Sequence, residues 1–135
     1  AAGGYVPPVD AAEEMRAADS ETLLIAQIET VAGLERLDEI AAIDGIDVLW
    51  VGQADLTASL GKPGSYEDPE FLDALARVAE AAERNGKAAA YLALSVDEGR
   101  RMLALGYRMI AYGADLWLYQ SALRDGLARL RDEVK

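Results

Sequence analysis

Short apolar segments alternate along this chain with longer segments in which apolar residues recur every three or four positions. Each short segment is bounded by polar residues or glycine and is apolar almost throughout, without strict alternation. That pattern is typical of strands that are covered on both faces, as in a parallel sheet. It predicts four strands, at residues 23–28, 46–51, 88–94 and 109–112.

The longer segments have the spacing and the terminal residues of amphipathic helices. Asp68 followed by Pro69 is a favourable helix start, because Asp caps free backbone N–H groups and proline suits the first helical position. Ser95 and Glu98 form a capping box, and Gly106 is a typical residue after a helix end. The predicted helices lie at residues 31–43, 68–86, 95–106 and from about 115 to the C-terminus.

The alternation of strand and helix predicts an α/β fold with right-handed crossovers between parallel strands. Residues 1–20 add a leading loop with a helical turn or two, and residues 21–135 form four β/α units, so residues 1–135 are one domain. A TIM-type (β/α)8 barrel needs eight such units and about 250 residues. The chain therefore matches half of a barrel, a (β/α)4 unit with a long last helix.

The composition narrows the possible functions. Of the 135 residues, 52% are apolar, which is enough for a real core. The 24 acidic and 13 basic side chains give a formal charge of -11, and the basic residues are scattered, so we expect no nucleic-acid partner. The absence of Cys and His excludes disulfides, thiolate sites and a Ser-His triad within this chain. Because no apolar run could span a membrane and no signal peptide begins the chain, we expect a cytoplasmic protein.

Two carboxylates follow predicted strands. Glu29 comes directly after the first strand, together with Gln27, and Asp55 follows the second strand. Sites in parallel α/β folds form at the C-terminal ends of strands, where neighbouring strands are only about 4.8 Å apart. Glu29 and Asp55 could therefore hold one divalent ion, and oxygen donors with open positions suit Mg²⁺ or Mn²⁺ better than Zn²⁺.

These residues also have purely structural interpretations. Asp55 could cap a short helix at residues 56–60, whereas Glu29 follows a buried run and is costly there unless a cation or several donors satisfy it. A turn at Gly52 into that helix would expose the backbone N–H groups of Ala54 and Asp55, which suits a bound carboxylate. Gly52 could equally be needed for the backbone angles of the turn.

Several other residues are better explained by structure than by chemistry. Asp115 at the fourth strand end could orient a site, but a cap for the last helix explains it better. Trp50 and Trp117 are more typical of a core or an interface than of a substrate platform. Covalent catalysis through a Schiff base would need a lysine at the strand ends. The three lysines lie in a Pro/Gly loop, at a strand start and at the chain end: Lys62, Lys87 and Lys135.

A connected sequence pattern runs through both strand ends. It consists of QIET at residues 27–30, DEIA at 38–41, GIDV at 45–48 and VGQADLTASLG at 51–61. In this pattern the chain resembles the C-terminal half of the 4-hydroxy-2-oxoheptanedioate aldolases, class II pyruvate aldolases related to citrate lyase β. Weaker matches at residues 85–88, 105–107 and 111–115 extend the resemblance over nearly the whole chain.

The resemblance implies an enzyme that cleaves a 4-hydroxy-2-oxo acid to pyruvate and an aldehyde, or joins them, through a metal-stabilised pyruvate enolate. It implies that Glu29 and Asp55 bind the Mg²⁺ or Mn²⁺ ion, that Gln27 lines the site, and that the backbone of Ala54 and Asp55 contacts the carboxylate of pyruvate. It also implies a homo-oligomer that exchanges its last helix between subunits. An apolar stripe would then pack on a neighbour, with packing on its own strands as the alternative: Leu123, Leu127, Leu130 and Val134.

The chain departs from the family in two respects. Gln53 stands where the family usually has Pro, and the family's catalytic His and substrate-binding Arg belong to early strands outside this chain. We therefore expect no catalytic base here and little or no activity of the chain by itself. Two alternatives stay open: a citrate-lyase-like acyl-CoA lyase, and a non-catalytic half-barrel for binding or scaffolding that pairs through its open edges. A nucleotide-binding domain ranks last, because no glycine-rich phosphate loop is present.

Overall fold

The computed structural model of the chain describes residues 10–133, and within them strands and helices alternate. The helices are α1 (Ala11–Glu21), α2 (Val31–Glu35), α3 (Leu37–Ala41), α4 (Gln53–Ser59), α5 (Pro69–Arg84), α6 (Val96–Ala104) and α7 (Asp115–Asp132). The strands are β1 (Ile25–Ile28), β2 (Val48–Val51), β3 (Ala88–Ala93) and β4 (Met109–Tyr112). All four predicted strands are present, each within its predicted range.

The four strands form one parallel sheet in the order of the sequence, β1-β2-β3-β4. Gln27, Trp50, Ala90 and Met109 are successive register partners, so their side chains lie in one row on the same face. Strands that follow each other in sequence and in space, with helices between them, have the arrangement of half a (β/α)8 barrel. The predicted fold class, a (β/α)4 half-barrel with a long C-terminal helix, is confirmed.

The core lies between one face of the sheet and the helices. Ile28, Leu49, Val51 and Tyr91 point from the strands into this layer and are almost fully buried. The α5 side chains that meet them recur at helical spacing, which explains the amphipathic pattern: Phe71, Leu75 and Val78. On the opposite face Ile25 and Gln27 are exposed and Trp50 is half-buried, whereas their neighbours Val48 and Ala90 are buried. That face would be turned to the inside of a complete barrel.

The segment predicted as one helix over residues 31–43 forms two. The backbone leaves helical geometry at Arg36, with φ -104° and ψ 18°. A tertiary contact lies at the break, where Arg77 of α5 donates a hydrogen bond from Nη2 to the Leu34 carbonyl at 2.9 Å. Both Leu34 and Leu37 are buried on either side of the break.

The structure also differs from the prediction near the start of the chain. The leading helix α1 is longer than the predicted turn or two, and the Asp10 carboxylate caps its start by accepting from the N–H groups of Ala12 and Glu13. The first predicted strand is shortened, since Leu23 and Leu24 are exposed and precede β1. The rest of the predicted leading loop, at residues 1–9, and the predicted stripe residue Val134 lie outside the described residues. Among the helices that are described, none is long and apolar enough to cross a membrane.

Candidate active site at the strand ends

Glu29 stands at the end of β1, directly after Ile28, and its side chain is half-buried. Gln27 donates a hydrogen bond from Nε2 to Glu29 Oε2 at 2.5 Å. Thr30, not Glu29, caps the following helix α2, because Thr30 Oγ1 accepts from the Gly33 N–H. Glu29 therefore does not cap a helix, and the side-chain amide of Gln27 orients its carboxylate.

The second strand end leads into α4 earlier than the sequence indicated. The helix begins at Gln53, three residues before the predicted residues 56–60, and Gly52 occupies the N-cap position. Asp55 is consequently the third helical residue, and the interpretation of Asp55 as the N-cap is wrong. The Leu56 N–H already donates to the Gly52 carbonyl at 2.8 Å, so Ala54 and Asp55 both lie within the first turn.

Gly52 lies directly against the Gln27–Glu29 pair. A Cβ atom built on Gly52 would come within 2.7 Å of Gln27 Nε2, 2.8 Å of Glu29 Cβ and 3.0 Å of Glu29 Oε2. Its φ of -83° is open to any residue, so the backbone angle does not require glycine here. The requirement is space: Gly52 lets the start of α4 approach the carboxylate of Glu29 closely.

The orientation of α4 turns Asp55 towards the same region. Ser59 lies one helical turn after Asp55 and hence on the same face of α4. Ser59 Oγ accepts a hydrogen bond from the Val31 N–H at 3.0 Å, two residues after Glu29. The face of α4 that carries Asp55 is thereby directed at the turn that follows Glu29. Sequence reasoning missed Ser59, although its spacing of four residues from Asp55 was a usable signal.

A cavity of about 250 Å³ opens beside these residues at the C-terminal ends of the strands. Its lining includes the proposed substrate-binding residues together with both tryptophans: Gln27, Ala54, Asp55, Trp50 and Trp117. Trp117 is half-exposed and Trp50 only partly buried, so neither belongs to the core, and the interface position that the sequence also suggested stays a prediction. The structure thus brings two tryptophans to the cavity, where their rings could cover a small bound molecule.

The two carboxylates suit a hard divalent ion that takes only some of its ligands from the protein. Glu29 and Asp55 offer carboxylate oxygens, which Mg²⁺ and Mn²⁺ prefer. Within residues 10–133 no group of three or more His, Asp or Glu side chains is positioned to hold a metal ion. Two carboxylates would leave several coordination positions for water and for substrate oxygens.

The lysines of the described region are engaged elsewhere. Lys62 Nζ bonds to the carboxylates of Asp68 at 2.8 Å and Glu70 at 3.1 Å, and these bonds raise the pKa of Lys62. A Schiff-base lysine needs the opposite shift. Lys87 donates to the carbonyls of Ile43 and Ile46, at the strand ends remote from Glu29. Lys135 lies outside the described residues.

The predicted capping residues are confirmed in two of three cases. Asp68 accepts from the Glu70 N–H at the start of α5, and Ser95 accepts from the Glu98 N–H at the start of α6. The prediction for Asp115 is wrong, because Ala114 holds the N-cap position of α7 and Asp115 is the first helical residue. A cap needs extended backbone, which is what Ala114 has, with φ -141° and ψ 154°.

A larger cavity, of about 660 Å³, lies between α5 and α6, but its charged groups are already paired. The Glu98 carboxylate accepts from the Tyr91 hydroxyl at 2.9 Å and from the Leu94 N–H at 2.7 Å. Burial and the hydrogen bond to Glu98 raise the pKa of Tyr91, so its hydroxyl stays protonated as a donor. Arg101 is paired with Glu67 at 3.1 Å. By size alone this cleft would be the candidate site. The smaller cavity at the strand ends is the better candidate, because it lies beside carboxylates that are available to bind a ligand.

Comparison with known proteins agrees with the fold. The family model described as HpcH/HpaI aldolase/citrate lyase matches residues 8–122. A hydroxypyruvate/pyruvate aldolase of Cupriavidus necator is 40% identical over 116 residues, which cover 86% of this chain and 43% of the relative. A 2-keto-3-deoxy-L-rhamnonate aldolase of Escherichia coli is 39% identical over 113 residues, covering 84% of this chain and 42% of the relative.

Solved structures give the same result. An HpcH/HpaI aldolase/citrate lyase family protein from Burkholderia cenocepacia superposes with a TM-score of 0.84 at 34% identity, covering 88% of this chain and 46% of the other. Macrophomate synthase superposes with a TM-score of 0.80 at 32% identity, covering 95% of this chain and 44% of the other. The chain thus spans less than half the length of these relatives. It belongs to the HpcH/HpaI aldolase/citrate lyase family.

Proposed function

We propose that this chain carries the metal-binding part of a class II aldolase, which cleaves a 4-hydroxy-2-oxo acid to pyruvate and an aldehyde or catalyses the reverse addition. The observation that carries the proposal is the close approach of Gly52 to the Gln27–Glu29 pair, three residues before Asp55. Membership in a family whose relatives include a hydroxypyruvate/pyruvate aldolase supports the reaction class.

The proposed roles follow from the geometry of each residue. Glu29 and Asp55 would hold the Mg²⁺ or Mn²⁺ ion, and Gln27 would keep one Glu29 oxygen engaged so that the carboxylate presents a single orientation. A bound divalent ion would supply Lewis-acid stabilisation for the negative charge of the pyruvate enolate. The backbone of Ala54 and Asp55 would contact the pyruvate carboxylate at the edge of the cavity.

Cleavage also needs a base, which we place outside this chain. The bond between C3 and C4 of the substrate breaks, its electron pair stays on the pyruvate fragment as the enolate, and the proton of the 4-hydroxyl leaves as the aldehyde forms. With no His in the sequence, we assign that proton transfer to a group outside these 135 residues. We therefore expect the isolated chain to bind ligands without measurable turnover.

The test is a calorimetric titration of the purified chain with Mn²⁺, with and without pyruvate. We expect one site whose affinity for Mn²⁺ rises when pyruvate is present, because pyruvate would supply ligands that the two carboxylates leave open. Sulfate in place of pyruvate is the control for a general anion effect. If the folded native chain binds no Mn²⁺ under either condition, the metal site assigned to this chain is withdrawn.

A non-catalytic half-barrel is the second candidate, and the open face of the sheet favours it. Ile25 and Gln27 on this face are exposed, and Trp50 is only half-buried, so a further set of strands or a partner could cover them. In a module that serves only for pairing, Mn²⁺ and pyruvate would have no linked effect. The same titration therefore separates the two candidates.

We also propose that α7 packs on a second copy of the chain. Every described residue of α7 is exposed, including a stripe that repeats on one side of the helix: Leu116, Leu123, Leu127 and Leu130. The alternative, packing of this stripe on the chain's own strands, does not occur within the described residues. An exposed apolar stripe of this kind favours burial against a partner surface, and a second copy of the chain would supply one.

Changing Leu123 and Leu127 together to Glu is expected to lower the molar mass measured by light scattering after gel filtration, because two charges would enter the apolar contact. The matched control is Ser121→Glu with Arg129→Gln, which changes the net charge equally on the opposite face of α7. An unchanged mass for both pairs of changes would contradict the packing of this stripe in an oligomer.

A further inference from the structure

Side-chain hydrogen bonds hold α4 at both of its ends, each to a different strand region. At the first turn, Gln53 donates from Nε2 to the Leu92 carbonyl of β3 at 2.8 Å. At the last turn, Ser59 Oγ accepts from the Val31 N–H, just after β1, at 3.0 Å. The helix follows β2, so these two bonds tie it to structure on both sides of its own strand.

The bond of Gln53 continues the β2–β3 ladder beyond the end of β2. Pairing of these strands ends at Trp50 with Ala90. Backbone groups along β3 alternate in direction: Ala88 bonds towards β2, through its N–H to the Asp47 carbonyl, and the Ala93 carbonyl bonds towards β4. The Leu92 carbonyl therefore faces β2 at a level where the backbone has already turned into α4. The side-chain amide of Gln53 supplies the donor that the strand no longer offers.

The hydrogen bond of Ser59 likewise gives a partner to a backbone group that has none within its own element. Val31 is the first residue of α2, and a first-turn N–H has no partner within its own helix. Ser59 Oγ provides the acceptor. Since Asp55 lies one turn before Ser59 on the same face, this bond fixes Asp55 relative to the turn that carries Glu29.

We propose that Gln53 and Ser59 are positioning residues that brace α4 and set the distance between the carboxylates of Glu29 and Asp55. This inference rests on the proposed metal site. Gly52 lies close to Gln27 and Glu29, so the start of α4 can shift only slightly. Asp55 is in the first turn of α4, so any shift of the helix changes the distance from Asp55 to Glu29.

The test compares Gln53→Ala, Ser59→Ala and the double variant by Mn²⁺ titration of the 135-residue chain, well below the unfolding temperature. We expect each single change to raise the Mn²⁺ dissociation constant about fivefold, as the loss of one ordinary hydrogen bond would, at about tenfold per 1.4 kcal/mol. Amide hydrogen exchange in α4 should accelerate in the same variants. Ser59→Thr keeps the hydroxyl and should keep the native affinity.

Gln120→Ala and Ser121→Ala are the matched controls. Both residues are exposed on α7, and within the described residues neither side chain makes a hydrogen bond, so neither change should alter Mn²⁺ affinity. If Gln53→Ala and Ser59→Ala both bind Mn²⁺ with native affinity, the positioning role is wrong, even if both variants unfold at a lower temperature. That result would leave the proposed metal site unaffected. Absence of Mn²⁺ binding in the folded native chain would instead overturn the metal site and the positioning role together.

Discussion

Glu29→Gln is expected to raise the Mn²⁺ dissociation constant by more than about 100-fold, and Asp55→Asn by a similar factor. Each change keeps the shape of the side chain and removes one of only two carboxylates in the proposed site. Loss of an outer partner of a metal ligand already costs roughly 10- to 100-fold, so loss of a charged ligand should cost more. Calorimetry with Mn²⁺, with and without pyruvate, measures both constants.

Glu14→Gln and Asp19→Asn make the same chemical changes on α1, which buries no residue, and should leave the affinity unchanged. Thermal unfolding of all four variants separates a lost ligand from a lost fold. A variant of Glu29 or Asp55 that folds and binds Mn²⁺ as tightly as the native chain would remove that residue from the site.

Gly52→Ala is expected to destabilise the fold by about 1–3 kcal/mol, the usual cost of forcing an extra methyl group into a filled space. The new Cβ would meet Glu29 Cβ at 2.8 Å, and an atom bonded directly to the backbone cannot rotate away. Relief therefore requires movement of the β1 end or of α4, and either movement alters the separation of Glu29 from Asp55. Urea unfolding measures the loss of stability. The Mn²⁺ dissociation constant, which should rise, reports the altered separation of the two carboxylates.

Gly126→Ala is the matched control, because a Cβ there would meet nothing within 4 Å and alanine is the better helix former. It should be neutral or slightly stabilising. Adding Gln27→Ala to Gly52→Ala removes the contact with Gln27 Nε2 and leaves the contact with Glu29 Cβ, so only part of the stability should return. Native stability and native Mn²⁺ affinity in Gly52→Ala would contradict the close approach of α4 to Glu29.

Local signals in the sequence were sufficient for most of the fold. Asp68 and Ser95 cap α5 and α6 as predicted, because a cap depends only on residues within one helical turn. The near-continuous apolar runs identified all four strands, since Gln27 is the one polar residue among the strand positions that the structure describes. The prediction failed over residues 31–43, where the bond from Arg77 to the Leu34 carbonyl joins residues 43 positions apart.

Sequence reasoning named the candidate residues, and the structure shows how they are arranged. The order of strand, carboxylate and turn pointed to Glu29, Ala54 and Asp55, the resemblance added Gln27, and the cavity is lined by three of these four. The metal itself and the role of each residue stay predictions, tested by the titrations above. Gln53 was noticed only as a departure from the family pattern, because its partner, Leu92, is 39 residues away.

The sequence by itself determined the half-barrel fold, the family and the residues that end its strands. These depend on periodicity, caps and short motifs, which express interactions within a few neighbouring residues. Only the tertiary structure decided where α4 begins, why Gly52 must lack a side chain and how Gln53 and Ser59 fasten the helix. The contacts of Gly52, Gln53 and Ser59 join segments far apart in the chain, and such contacts exist only after the strands have aligned.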